Sequence, residues 1–293
     1  MNASFLNTTP LVHEPGEIRR GIVRDLPAEA YHCGPEVSAS ALASLAKSPA
    51  HCWALHMDPA RPPRQETLAM RAGTMLHAFV LEPKTFWSRY VQRPAGLDGR
   101  TKEGKAWLAE NATRTAITVE ERDTLMRQEA AIGSVPELQH ALSAGQAETS
   151  IFWNDSRTGL PCRARPDWLH MLPDGRAIVL DLKTTADASP QGFARSVWHF
   201  GYHRAQAHYT AGLEACGIEV AAFLFAVVTS SYPFIAVPYL LDDDSLRRGA
   251  EERLALMDRF ALCKRENHWP AYGSGVKVLS LPSWARFNPE NEE

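Results

Sequence analysis

The sequence predicts an α/β protein with a mixed central sheet, flanking helices and a helical N-terminal part, and three observations carry that prediction. Helix-patterned segments fill residues 38–145, strand-patterned segments fill 148–183, and two more strand runs follow a helical stretch at 190–216. Strands, a crossover of helices and strands again describe a sheet of mixed direction with helices on its faces.

The elements follow in order. Residues 1–30 read as an arm with Pro, Gly and charges and little periodicity, ahead of a single domain over 31–285. Ser38 and the Ser48-Pro49 pair mark helix starts, since a serine oxygen caps the first free N–H groups and proline suits the first helical turn. An apolar helix over Gly73–Pro83 carries His77. Between Arg89 and Lys105 lie five basic and two acidic residues among glycines, the pattern of a loop. A meander of three strands is expected over 148–183, turning at Asn154–Gly159 and at Leu172-Pro173-Asp174-Gly175-Arg176. Ser189-Pro190 opens the next helix, and another runs from Tyr202 to Ala215, closing at Cys216-Gly217. Val220–Val228 is a continuous apolar run suited to a buried strand, and Phe234–Leu240 is another strand. A capped helix follows from Ser245 to Lys264 with Leu246, Leu254, Met257 and Leu262 as its core residues, and 286–293 form an acidic tail.

The chemistry concentrates in Arg165-Pro166-Asp167 and Asp181-Leu182-Lys183. Side chains alternate along a strand, so Asp181 and Lys183 share a face while Leu182 points into the core. A hairpin turning at Asp174 sets Asp167 opposite Asp181, and a turn in 154–159 sets Glu148 opposite Asp167. Three carboxylates in a row repel one another, and a divalent cation is their natural partner. A lone Asp-x-Lys is a weak motif, because carboxylates flank strands in most proteins. Gln206, Tyr209 and Leu213 share one helical face, either as a site or as mixed packing. His77 is either a satisfied core histidine or a metal ligand.

These residues together resemble the PD-(D/E)xK nucleases, specifically the RecB-like branch and most closely the RecE exonuclease (exonuclease VIII) group. The matching stretches are Val37–Ser40, Ser48–His51, Gly73–Pro83, Arg100–Lys105, Cys162–Asp167, Asp181–Thr185, Gln206 with Tyr209, and Trp269–Tyr272. The resemblance implies a restriction-endonuclease-like fold with His77, Asp167 and Asp181 as metal ligands, Lys183 as the catalytic lysine and Glu148 as the third acid. Gln206 and Tyr209 would lie on the substrate-side helix, with two residues between them where many relatives have three. The peptide carbonyl of Leu182 is an expected further ligand. Oxygen-rich sites suit Mg²⁺, and a histidine in the set also accepts Mn²⁺. The resemblance further implies a homo-oligomeric ring that digests linear double-stranded DNA ends 5′ to 3′, with a RecT-like annealing protein as partner. An endonuclease or end-trimming nuclease of the same superfamily and a non-catalytic DNA-binding assembly module are the alternatives.

Composition sets the outer limits. A chain of 293 residues with 45% hydrophobic content can bury a sizeable core. No run approaches a membrane span, and five scattered cysteines suit reduced thiols, so a cytoplasmic protein is expected. No C-x-x-C pair is present, which argues against an iron–sulfur cluster. The net charge of −3 is unusual for a DNA enzyme, but acid is concentrated late in the chain, and Arg100, Lys102 and Lys105 in the basic loop are candidates for phosphate contacts. Gly99-x-x-x-x-Gly104-Lys105 imitates a nucleotide-binding loop until Ala106, where the metal-binding hydroxyl is missing, so ATP dependence is not expected.

Overall fold

The structure is a computed structural model that describes residues 20–63 and 65–281. Residues 1–19 of the expected arm and the acidic tail lie outside the described residues. In chain order the helical part comprises β1 (Gly21–Val23), α1 (Ala28–His32), α2 (Ala39–Lys47), α3 (Pro49–His56), α4 (Leu68–Leu81), α5 (Pro83–Arg89), β2 (Tyr90–Gln92), α6 (Lys102–Glu110), β3 (Thr115–Ile117), α7 (Val119–Gly133) and α8 (Pro136–Leu142). The sheet part comprises β4 (Gln146–Ala147), β5 (Ser150–Asn154), β6 (Pro161–Ala164), β7 (Trp168–Met171), β8 (Ala177–Thr185), α9 (Pro190–Phe200), α10 (Tyr202–Ala215), β9 (Val220–Thr229), β10 (Ala236–Tyr239) and α11 (Asp243–Glu266).

Local sequence explains the helix starts. Ser38, Ser48 and Ser189 each accept a backbone N–H three residues on, and Pro49 and Pro190 occupy the first turn. Thr118 and Glu121 form a reciprocal capping box on α7.

The main sheet has the order β10-β9-β8-β7-β4, with β8 and β9 parallel and the other neighbours antiparallel. Two helices, α9 and α10, make the crossover that parallel pairing requires. Leu180, Leu182, Ala226 and Val228 pack on one face of this sheet with α4, α7 and α8 residues such as Leu76, Leu125 and Leu138. Val179, Phe223, Phe225 and Val227 pack on the other with Phe193, Leu213 and the second layer of α2 and α11.

Three expectations need correction. The meander over 148–183 is divided between two sheets, because β5 and β6 pair with β1 while β4 and β7 belong to the main sheet. Both pairs nevertheless keep one register, Ile151 opposite Ala164 and Ala147 opposite Trp168. The break falls at Glu148, whose φ of +52° turns the chain out of the sheet while its N–H still donates to the Asp167 carbonyl at 3.1 Å. Second, the helical part contains the parallel pair β2–β3, whose three-residue strands are too short to register as a pattern. Third, α11 buries Gly249, Arg253, Leu256, Met257, Phe260 and Cys263, whereas Leu254 and Leu262 are about two-fifths exposed. Gly249 sets this rotation, since a Cβ there would stand 2.4 Å from the His203 carbonyl, and Arg253 is tolerated inside because it meets Asp155 at 2.8 Å.

Candidate metal and catalytic site

The site is built where β8 outruns β7. Their pairing runs from Met171–Ala177 to Trp168–Leu180, a register that continues to Asp167 and Asp181, while β8 extends to Thr185 against β9 alone. Leu182 therefore has a backbone N–H with no partner on β7, and the Asp167 carboxylate takes it, Oδ2 accepting at 2.7 Å.

The backbone of the same residue orients the histidine. α4 crosses β8 with Gly73 beside Thr184, which brings His77 Nε2 to 2.9 Å from the Leu182 carbonyl. A carbonyl only accepts, so Nε2 carries a proton and donates, and in the neutral ring Nδ1 is then the acceptor nitrogen. That nitrogen faces Asp167 Oδ1 at 3.5 Å. In the neutral ring this sets two lone pairs face to face, which a proton or a bound cation between them relieves. The donor atoms of His77, Glu148 and Asp167 all lie within 4.8 Å of one another. Burial raises the Glu148 carboxyl above its usual range, against the lowering pull of Arg165 and His77. Arg165 is held by Ser150 Oγ at 2.7 Å and by the Leu26 carbonyl, and its guanidinium lies 4.1 Å from the centre of the Tyr31 ring. The donor set of one imidazole and two carboxylates fits a divalent cation.

Asp181 and Lys183 form a contact ion pair just beside this cluster, with little exposure on either side chain. Burial, offset in part by Lys183 and reinforced by Asp167, lifts the Asp181 carboxyl to about 7. Burial also works against the charged form of Lys183, but Asp181 and Asp167 outweigh it and hold the ammonium above its ordinary range. Lys183 thus stays protonated beside an Asp181 carboxyl that burial and the Asp167 charge hold toward its neutral form.

The opposite wall is α10. Burial first, and then the negative charges of Asp181, Asp167 and Glu148, push the Tyr209 hydroxyl well up, so this side chain looks onto the same site. Gln206 is buried, and among the described residues its Oε1 has no hydrogen-bond partner. Tyr202, which sequence reasoning missed, lies with its ring centre 5.1 Å from Lys183 Nζ. The signal was available: 202, 206, 209 and 213 form one helical stripe.

The expected site residues divide as follows. His77, Glu148 and Asp167 converge, with Asp181 and Lys183 against them and Gln206 and Tyr209 on α10. The Leu182 carbonyl accepts from His77 and so orients that ring, and its second lone pair is still available to a cation. Arg100, Lys102 and Lys105 lie at the start of α6 with local contacts: Arg100 pairs with Asp98 at 2.8 Å, and Thr101 caps Gly104.

Comparison with known proteins gives three results. No curated protein matches the chain by sequence. A crystal structure from Eubacterium rectale, described as a "putative exonuclease", superposes with a TM-score of 0.57 at 15% identity, covering 88% of this chain and 96% of that one, which shows a shared fold. A second structure, described only as SSO0001, aligns at a TM-score of 0.26 and 13% identity over 63% of this chain and 85% of that one, too loosely to carry weight. Among the described residues no helix is long and apolar enough to cross a membrane. Residues 38–281 match the family described as "PDDEXK-like domain of unknown function (DUF3799)", and with most of its length matched and a restriction-endonuclease-like fold, the chain belongs to that family within the PD-(D/E)xK superfamily.

Proposed function

We propose that this chain is a divalent-metal-dependent deoxyribonuclease that hydrolyses phosphodiester bonds from the ends of linear double-stranded DNA. The observation that carries the reading is the convergence of His77, Glu148 and Asp167 within 4.8 Å beside the Asp181–Lys183 pair. His77, Glu148 and Asp167, with Asp181 adjoining, would hold Mg²⁺ or Mn²⁺, and such an ion supplies Lewis-acid polarisation of the phosphoryl group and a water of lowered pKa.

The chain's own residues do the rest. Lys183, kept protonated by two carboxylates, offers N–H donors to the attacking water and offsets the negative charge that grows on phosphorus. Asp181 fixes where that ammonium sits. Leu182 holds two ligands through its own backbone, its N–H on Asp167 and its carbonyl on His77, so the ligand atoms are preorganised. Tyr209, which feels the charges of Asp181, Asp167 and Glu148, borders the site from α10.

The finer reading follows the resemblance to RecE-like exonucleases. The protein acts as a cytoplasmic homo-oligomer without ATP, digests 5′ to 3′ and leaves a 3′ single strand for a RecT-like annealing partner. The test is to mix the purified protein and Mg²⁺ with linear duplex labelled at either 5′ or 3′ ends and with closed circular duplex. Linear DNA is degraded from its 5′ ends, circular duplex survives, and EDTA stops the reaction. Equal attack on circular duplex would assign an endonuclease, and activity in EDTA would overturn the metal site.

A further inference from the structure

Three aromatic rings lead from the sheet to solvent past the catalytic lysine. Phe225 on β9 is fully buried, Tyr202 stacks on it with ring centres 6.0 Å apart and planes 27° apart, and Phe200 stacks on Tyr202 at 5.5 Å and 24°. Lys183 Nζ lies over the middle ring. The outermost ring is 56% exposed, with His199 T-shaped against it at 4.7 Å between ring centres and the rest of its apolar surface in water. Gly201 makes the arrangement possible. Its φ of +72° ends α9 and starts α10 within one residue, and a Cβ there would stand 2.1 Å from the Arg204 guanidinium.

We propose that Phe200, backed by Tyr202, is a stacking platform for the unpaired base adjoining the phosphate that Lys183 engages. The inference rests on the nuclease reading above and adds to it a residue that positions substrate. In a duplex both faces of a base are already stacked, so a free aromatic face favours a nucleotide that has parted from its complement, and base–aromatic stacking is indifferent to sequence. Unpairing costs a few kcal/mol, and a ready stack at the site returns part of that cost. The surroundings suit a polyanion, since exposed Arg195 lies on α9 five residues before Phe200, and Arg248 lies 4.7 Å from the Trp198 ring centre. Trp198 is equally exposed but stacks on His203 and Arg248, away from the chain of rings that reaches Lys183, and serves as a control.

The test is a cycle of two perturbations on full-length protein with Mn²⁺. Phe200→Ala is crossed with linear duplexes carrying a single abasic position at each of the first three nucleotides of the digested strand, and kcat/KM is measured. Phe200→Ala on intact DNA is expected to lower kcat/KM roughly 5- to 150-fold, the range for losing one stacked base. At one abasic position the wild type is expected to lose a similar factor, and Phe200→Ala to lose little more. Phe200→Trp is expected to restore the rate, and Trp198→Ala to behave as wild type in the cycle. Multiplicative losses at all three positions, or an identical cycle for Trp198→Ala, would overturn the platform while leaving the nuclease reading intact. A wild type inactive on every DNA would overturn both.

Discussion

Asp167→Asn separates the site's charge from its geometry. The amide oxygen can still accept from the Leu182 N–H, now at 2.7 Å from Oδ2, and the amide NH₂ can face His77 Nδ1, so two opposed lone pairs become a donor and an acceptor. The substitution also removes one carboxylate within 4.8 Å of Glu148. Two unit charges at that distance repel by about 3 kcal/mol at an effective dielectric constant near 20, and the lost attraction between Asp167 and the Lys183 ammonium offsets part of this, so the gain is at most about 3 kcal/mol. At about 2–4 °C per kcal/mol, the metal-free variant should melt above the parent by up to about 12 °C. The assay is thermal unfolding at neutral pH in EDTA and again in Mn²⁺. Added Mn²⁺ at 100 times its dissociation constant stabilises the parent by about 2.7 kcal/mol, and this shift should vanish in the variant along with at least ~10²-fold of turnover. A variant that melts well below the parent in EDTA, or keeps the Mn²⁺ shift, would refute the reasoning.

Three other outcomes are expected. Lys183→Ala and Asp181→Ala should each lower turnover at least ~10²-fold, the scale of losing one preorganised charged group, and parental rates in both would remove the pair from the mechanism. In EDTA, stability should decline as pH rises from the ordinary carboxylate range toward about 7: the folded chain holds the Asp181 proton more tightly than the unfolded chain, so that contribution is complete below the unfolded value and lost above the folded one. Saturating Mn²⁺ should flatten the decline, as melting curves across that pH range would record. Replacing Arg100, Lys102 and Lys105 together by Ala should flatten the salt dependence of DNA binding by up to ~0.9 slope units per lost phosphate contact, and an unchanged slope would leave the α6 loop outside the interface.

Much of this was legible in the sequence because local chemistry decided it. The Pro-Asp-Gly turn at 173–175 dictates the β7–β8 register and hence places Asp167 level with Asp181, and serine caps, prolines and Cys216-Gly217 bound the helices α2, α3, α9 and α10. Alternation along β8 likewise put Asp181 and Lys183 on one face. What only the tertiary structure decided depends on elements distant in sequence. The rotation of α11 follows from close approach at Gly249 and the Arg253–Asp155 pair, which apolar periodicity alone misplaced onto Leu254 and Leu262. The positive φ of Glu148 divides the meander yet keeps this carboxylate at the cluster, and no residue type announces it. His77 becomes a candidate ligand only because α4 lays it across the Leu182 carbonyl, 105 positions away, where an acceptor fixes which ring nitrogen holds the proton and which one faces the acids.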